Sequence, residues 1–258
     1  MNAEVGITLG EVGASLALVA IAIAVSRWRG AGLETDIGVA VLRSFVQLVA
    51  LGYVIQAIFD GGSLALVFAL IAAMVVFGAL TARARARKVP GALGPLLAAL
   101  ALAGAATLAL VVALGIFEPE PRYLVPVGGM VIGNAMTAAA VALNRLADDI
   151  RDKAPQIEAT LALGASAREA AAPVVRASLR SGMITLVDST KTTGLIFIPG
   201  TMVGMLVAGA EPTEAVRLQM ILLWVLLGSV AISAVVATGL AYRRFFTPAD
   251  QLRDPPAP

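Results

Sequence analysis

The sequence predicts an all-α, polytopic helical membrane protein, and three observations predict it. First, 59% of its 258 residues are hydrophobic and only 14% are charged, where soluble domains carry about 25% charged residues. Second, the apolar residues gather into seven runs, each near the roughly 20 residues needed to cross the hydrocarbon core. Third, the polar joints between runs alternate between basic and acidic. This is the pattern expected when basic loops stay in the cytoplasm.

The first run covers about 7–26; Glu4 and Glu11 come before its apolar core, and Arg27, Trp28 and Arg29 follow it. A secretory signal places its positive charge first, so this run reads as a retained helix with the N-terminus outside. The next runs are 37–59, 64–80, 93–117, 124–143, 183–207 and 216–242. They predict about seven transmembrane helices in a single permease-like domain, 1–244, followed by a cytoplasmic tail, 245–258. Asp254 to Pro258 is too short and proline-rich to fold.

The joints orient the chain. Arg27 and Arg29, then Arg83, Arg85, Arg87 and Lys88, then the basic residues from Arg145 to Arg180, then Arg243 and Arg244 fall on one side. Asp60, then Glu118 and Glu120 with a lone Arg122, then Glu211 and Glu214 with a lone Arg217 fall on the other. The C-terminus is therefore expected in the cytoplasm. The Arg83–Lys88 cluster reads as a topology anchor and not as a nucleic-acid site.

One segment, 148–181, is polar enough that a bilayer would reject it. Pro155 suits a first helical turn, Gly164 suits a helix stop, and Ser166 with Glu169 spells a capping box. The expectation is helix, turn and second helix: a cytoplasmic elbow. A mere connection between spans would need only a handful of residues.

The runs flanking this elbow hold the most unusual residues. The fifth contains Pro126, Gly128, Gly129, Met130, Gly133, Asn134 and Met136. Gly129 and Gly133 form a GxxxG pair suited to close helix packing, while an amide at Asn134 needs a partner in hydrocarbon. The sixth holds Asp188 and Lys191 on one helical face, then Pro199 and Gly200 as a predicted break. Asp188 either pairs, with Lys191 or with Arg43, or attracts a cationic cargo. Arg43 and Gln47 share a face of the second run. Met130, Met136, Met202 and Met205 are either gap-filling core residues or soft metal ligands.

The absence of Cys and His removes disulfides, thiolate and imidazole metal sites and the usual neutral-pH base. It disfavours a membrane-embedded enzyme. No GxxxxGK[ST] phosphate loop is present.

Several of these stretches resemble a known family. Glu158-Ala159-Thr160-Leu161-Ala162-Leu163-Gly164 is similar to the EAAxxxG core of ABC importer permeases, with Thr160 in place of the second alanine. RSFVQL from Arg43, PVGGMVIGNAM from Pro126 and DSTKTTGLIFIPGTMVGMLVAGAEP from Asp188 resemble the FetB-type permeases of bacterial iron-export ABC systems. The plant aluminium-tolerance half-transporters are similar. The chain departs from that pattern with Ile198 before Pro199-Gly200 and with Met205 where relatives carry glutamine.

The resemblance implies a bacterial inner-membrane permease subunit, working as a homodimer, that exports iron or another metal cation. It implies no cofactor on this chain, with ATP and Mg bound by a separate cytoplasmic ATPase. Glu158, Ala159, Gly164, Ser166, Arg168 and Glu169 would couple to that ATPase. Arg43, Gln47, Asn134, Asp188, Lys191, Pro199 and Gly200 would line the translocation pathway. Two alternatives stay open: an ATP-independent carrier using Asp188 as its ion-coupling site, and an ABC permease for a non-metal solute.

Overall fold

The computed structural model describes residues 9–253. Along them run α1 (Leu9–Arg29), α2 (Glu34–Gly61), α3 (Leu64–Arg85), α4 (Leu93–Ala113), α5 (Pro121–Asp152), α6 (Ala154–Ala162), α7 (Ala167–Thr192), α8 (Gly200–Val207) and α9 (Pro212–Ala241). A short 3₁₀ turn, Tyr242–Phe245, follows α9. The first residues of the chain and 254–258, including the start of the first run and the proline-rich end, lie outside the described residues. The architecture is all-α and polytopic.

Six of these helices, α1 to α5 and α9, are long and apolar enough to cross a membrane. The seventh expected run, 183–207, is not one helix. Its first part is the end of α7, its last part is α8, and 193–199 between them is non-helical. The break therefore begins well before the predicted Pro199-Gly200. Three threonine hydroxyls near the end of α7 donate to carbonyls three or four residues back, among them Thr190 to Leu186 and Thr193 to Ser189. Such back-bonding weakens a helix end. Gly194 then takes φ +84, and the chain leaves the helix where only glycine turns easily. Pro199 is the N-cap of α8, not a kink within a continuous helix.

The boundaries of the neighbouring runs also shift. α4 stops at Ala113, closed by Gly115 at φ +66. α5 starts at Pro121 and continues to Asp152, through the first part of the polar segment.

Between helices in lipid there is no hydrophobic drive to associate, so packing falls to small residues that let backbones approach. The centre follows that rule. α5 packs against α9, α7, α3 and α4, and α4 packs against α9. These helices bury Ala135, Ala138, Ala139 and Ala142 on α5, Ala99 and Ala103 on α4, and Ser233, Ala234 and Ala237 on α9. The buried serine and threonine hydroxyls of α9 satisfy themselves within the helix, Ser233 on Val230 and Thr238 on Ala234. α1 and α2 stay at the periphery, and α2 buries only Ile58.

Candidate functional site

The polar segment builds a rigid corner at one end of the bundle. α5 brings the chain in and ends at Asp152. Lys153 then caps both helices, and Pro155 opens α6. Proline suits that position because its missing N–H has no helical partner there anyway. α6 stops at Ala162, and Gly164 turns the chain at φ +90. Ser166 then starts α7 with a reciprocal cap. Its Oγ accepts from the Glu169 backbone N–H at 3.4 Å, and its own N–H donates to the Glu169 carboxylate at 2.9 Å. The Ser166 hydroxyl donates to the same carboxylate at 2.7 Å. These bonds, the side-chain one foremost, hold the Glu169 carboxyl below its ordinary range.

The second helix of the elbow and the first half of the sixth run are one continuous helix, α7, with no joint at Ser181. α7 therefore carries Asp188 about 32 Å from Ala167, at 1.5 Å per residue. It is tied to α5 at Gly182. A Cβ built there would lie 2.8 Å from the Ala138 carbonyl oxygen and 2.9 Å from the Ala142 Cβ. The predicted Gly129–Gly133 pair does not make such an approach. Gly129 faces the Met74 side chain, and nothing stands within 4 Å of a Cβ at Gly133. Sequence reasoning overlooked Gly182 because its partners are alanines on another helix, with no local pattern to expose them.

Other anchors hold the same end, the first of them an i,i+4 charge pattern that the sequence does carry. Asp149 is buried at the base of α5, 3.0 Å from Arg145 and 3.6 Å from Lys153. Lys88, beyond α3, pairs with Asp148 at 2.7 Å. The Arg244 guanidinium lies beside Gly91 and Gly94. The basic joint after α3, the elbow and the end of α9 thus gather at one end of the molecule.

The predicted pathway residues are scattered more widely. Asp188 pairs with Lys191 at 3.0 Å, and the two side chains are 58% and 67% exposed. Arg43 and Gln47 are exposed on α2. Asn134 is half-buried and donates from Nδ2 to the Met130 carbonyl at 2.9 Å, so its amide hydrogen finds a partner within its own helix. Of the four methionines, Met130 and Met205 come together, lining one cavity of about 380 Å³ with Tyr123, Pro126 and Thr201. Met136 packs near Gly78 in the core, and Met202 is not in that lining. Thr201 donates to the buried Gln219, a contact between α8 and α9 that the sequence did not suggest. Among the described residues no group of three His, Cys, Asp or Glu could hold a metal ion.

Of the residues expected to couple to a partner, Glu158, Ala159, Arg168 and Glu169 are exposed on the elbow, with Gly164 at its turn. Glu158 and Gly164 line an open cleft of about 410 Å³ with Asp250 and Gln251.

Comparison with known proteins converges on one group. The chain is similar to "UPF0014 membrane protein STAR2" of Oryza sativa subsp. japonica, 42% identical over 243 residues that cover 93% of this chain and 85% of the relative. It is similar to "Protein ALUMINUM SENSITIVE 3" of Arabidopsis thaliana, 38% identical over 93% of this chain and 88% of that protein. It is also similar to "Probable iron export permease protein FetB" of Escherichia coli (strain K12), 33% identical over 98% of this chain and 97% of that protein. No solved structure matches. Residues 9–246 match the family described as "Uncharacterised protein family (UPF0014)". With the match running across nearly every described helix, the chain belongs to the UPF0014 family of multi-pass membrane proteins.

Proposed function

We propose that this chain is the membrane-spanning permease subunit of an ABC exporter in the bacterial inner membrane. It moves iron or another metal cation out of the cytoplasm, driven by a separate ATPase that docks on the elbow. The observation that carries this reading is the elbow's construction. It is capped at Ser166, turned at Gly164 and continuous through α7 into the broken span. A push on Glu158–Arg168 passes the turn at Gly164 into α7, which runs unbroken past Pro173 to Asp188, Lys191 and the unwound segment 193–199. A loop that only joined two spans would need neither the cap nor the length. The relative named as a probable iron export permease supports the cargo class.

Two copies make the working unit. The Asp188–Lys191 pair is exposed about 32 Å along α7, where lipid would be a costly neighbour for charge. A facing second copy would enclose such a pair in a hydrated pathway. ATP and Mg belong to the partner ATPase, and this chain supplies transport residues but no hydrolytic site. Met130 and Met205 offer two thioethers beside the broken span, a soft contact for a passing metal ion.

The test is co-purification of an ABC-type ATPase with this chain, then reconstitution of the pair in vesicles, followed across several metal ions. Wild type should show cation-stimulated hydrolysis. Asp188→Asn should keep ATPase binding while stimulation falls, and Met205→Leu should change the ranking of the metals. Unchanged stimulation by every cation in Asp188→Asn would remove the cargo role of that carboxylate.

A further inference from the structure

Residues 246–253, assigned by sequence to a cytoplasmic tail, have a defined structure. Phe245 and Phe246 are each 4% exposed and share a core cluster with Ile157, Ala167 and Ala170 of the elbow. The chain then reverses. Thr247 N donates to the Gln251 carbonyl at 2.8 Å, and Asp250 N donates to the Thr247 carbonyl at 3.0 Å. Phe246 and Leu252 form an antiparallel bridge. Arg253 closes the hairpin, its N–H on the Phe245 carbonyl at 2.8 Å and its Nε on the Phe246 carbonyl at 3.0 Å. Asp250 sits at φ 55, a left-handed position that aspartate tolerates better than most residues.

This hairpin stands against the turn of the elbow, and a cleft opens on each side of the contact. The first, about 410 Å³, has Glu158 and Gly164 on one wall and Ala249 and Asp250 on the other. The second, about 400 Å³, lies between Arg168 on the elbow and Arg243 and Arg253 beside the hairpin. The first is acidic; the second carries three arginines, and Asp250 lines both. At the elbow's tip, next to Gly164, Leu163 is 89% exposed. An exposed leucine alone says little. Here it adjoins Gly164 at the edge of the acidic cleft, with the arginine-lined cleft across the hairpin contact, and an apolar point with a charged rim is the layout of a protein interface.

We infer that the C-terminal hairpin is the second wall of the ATPase docking site. The partner would place an apolar side chain on Leu163, a basic group between Glu158 and Asp250, and an acidic group near Arg168 and Arg253. The inference rests on the ABC-permease reading, but it adds a contact that the elbow alone does not supply. It also gives α9 a direct share in the docking force, because the hairpin follows α9 with only the 3₁₀ turn between them.

The experiment uses the full-length chain in detergent, titrated with the purified ABC-type ATPase of the same organism that co-purifies with it. Ala249→Arg puts bulk and positive charge into the acidic cleft from an exposed position. Asp250→Asn removes the charge while keeping a residue suited to positive φ. Each should weaken binding by about tenfold and change its salt dependence. Leu163→Asp, on the elbow itself, should abolish binding. Ala165 and Asp250 both line the acidic cleft, so an Ala165→Cys, Asp250→Cys pair in this Cys-free chain should be joined by a short bismaleimide spanning that cleft and so report the hairpin's position without any partner. If both hairpin variants bind within twofold of wild type while Leu163→Asp does not bind, the hairpin lies outside the interface and the inference is overturned, with the permease reading intact. If wild type itself does not bind the ATPase, both fall. Absence of the cross-link would overturn the hairpin's place beside the elbow.

Discussion

Position 182 has no side chain, and that absence is what lets α7 lie against α5. A Cβ there would stand 2.8 Å from the backbone oxygen of Ala138, which cannot swing aside as a side-chain tip would. Gly182→Val should therefore destabilise the protein by about 1–3 kcal/mol or more, the usual cost of overpacking. A lowered thermal midpoint in detergent would report it. Gly133→Ala is the control: nothing stands within 4 Å of that position, so the midpoint should stay. Equal effects at the two sites would contradict the α5–α7 contact. Glu169 gives a pH-dependent counterpart. Its carboxyl titrates below its ordinary value of 4.5 because Ser166 hydrogen-bonds the charged form. The cap's contribution is thus complete above the ordinary value and is lost as pH falls through the depressed one. Helix signal from the elbow should decline in acid in wild type, and Glu169→Gln should flatten that decline. A decline as steep in Glu169→Gln as in wild type would assign the acid sensitivity elsewhere.

Among the elements, the elbow and the broken span divide the labour of stiffness and compliance. The elbow is stiff because each end of its helices is closed: Lys153 and Pro155 at one corner, Gly164 and the Ser166–Glu169 cap at the other. Gly164 holds φ +90, where a β-branched residue is strained by about 1–3 kcal/mol. Gly164→Val should insert in the membrane normally yet lose ATPase pull-down or coupled export. Normal values of both would dismiss the turn from coupling. The compliant element is 193–199. Its backbone bonds are a turn, with Ile196 N–H on the Thr192 carbonyl and Gly194 N–H on the Phe197 carbonyl, and it exposes Leu195 and Ile196 at 88% and 79%. Backbone of this kind is tolerated at membrane depth only where protein or a water-filled cavity covers it.

For the whole molecule, the loops set the orientation and the structure gathers their charges. Lys88 meets Asp148, and Arg244 meets Gly91 and Gly94, so the basic joint after α3, the elbow and the end of α9 share one end. Cysteines placed at Asp60, Glu118 and Glu211 should label from outside, and cysteines at Arg85 and Glu158 only after permeabilisation. The natural absence of Cys leaves no background. A reversed pattern at any of the five would break the orientation argument.

Composition, run length and the alternation of loop charge determined, without coordinates, that this is an all-α membrane protein. They also marked the polar segment 148–181 as a separate helical device. Those properties are local sums: transfer of side chains to lipid, a cap read across four residues, a turn read at one glycine. Tertiary structure alone decided three further matters. It joined the elbow to the broken span as the single helix α7, because helix continuity depends on unbroken backbone bonding and not on where polarity changes. It chose Gly182 over Gly129 and Gly133 as the point of closest approach, because that choice depends on which alanines a distant helix presents. It folded 246–253 back onto the elbow, because Phe245, Phe246 and Leu252 found an apolar pocket there that no neighbouring residue in the chain could announce.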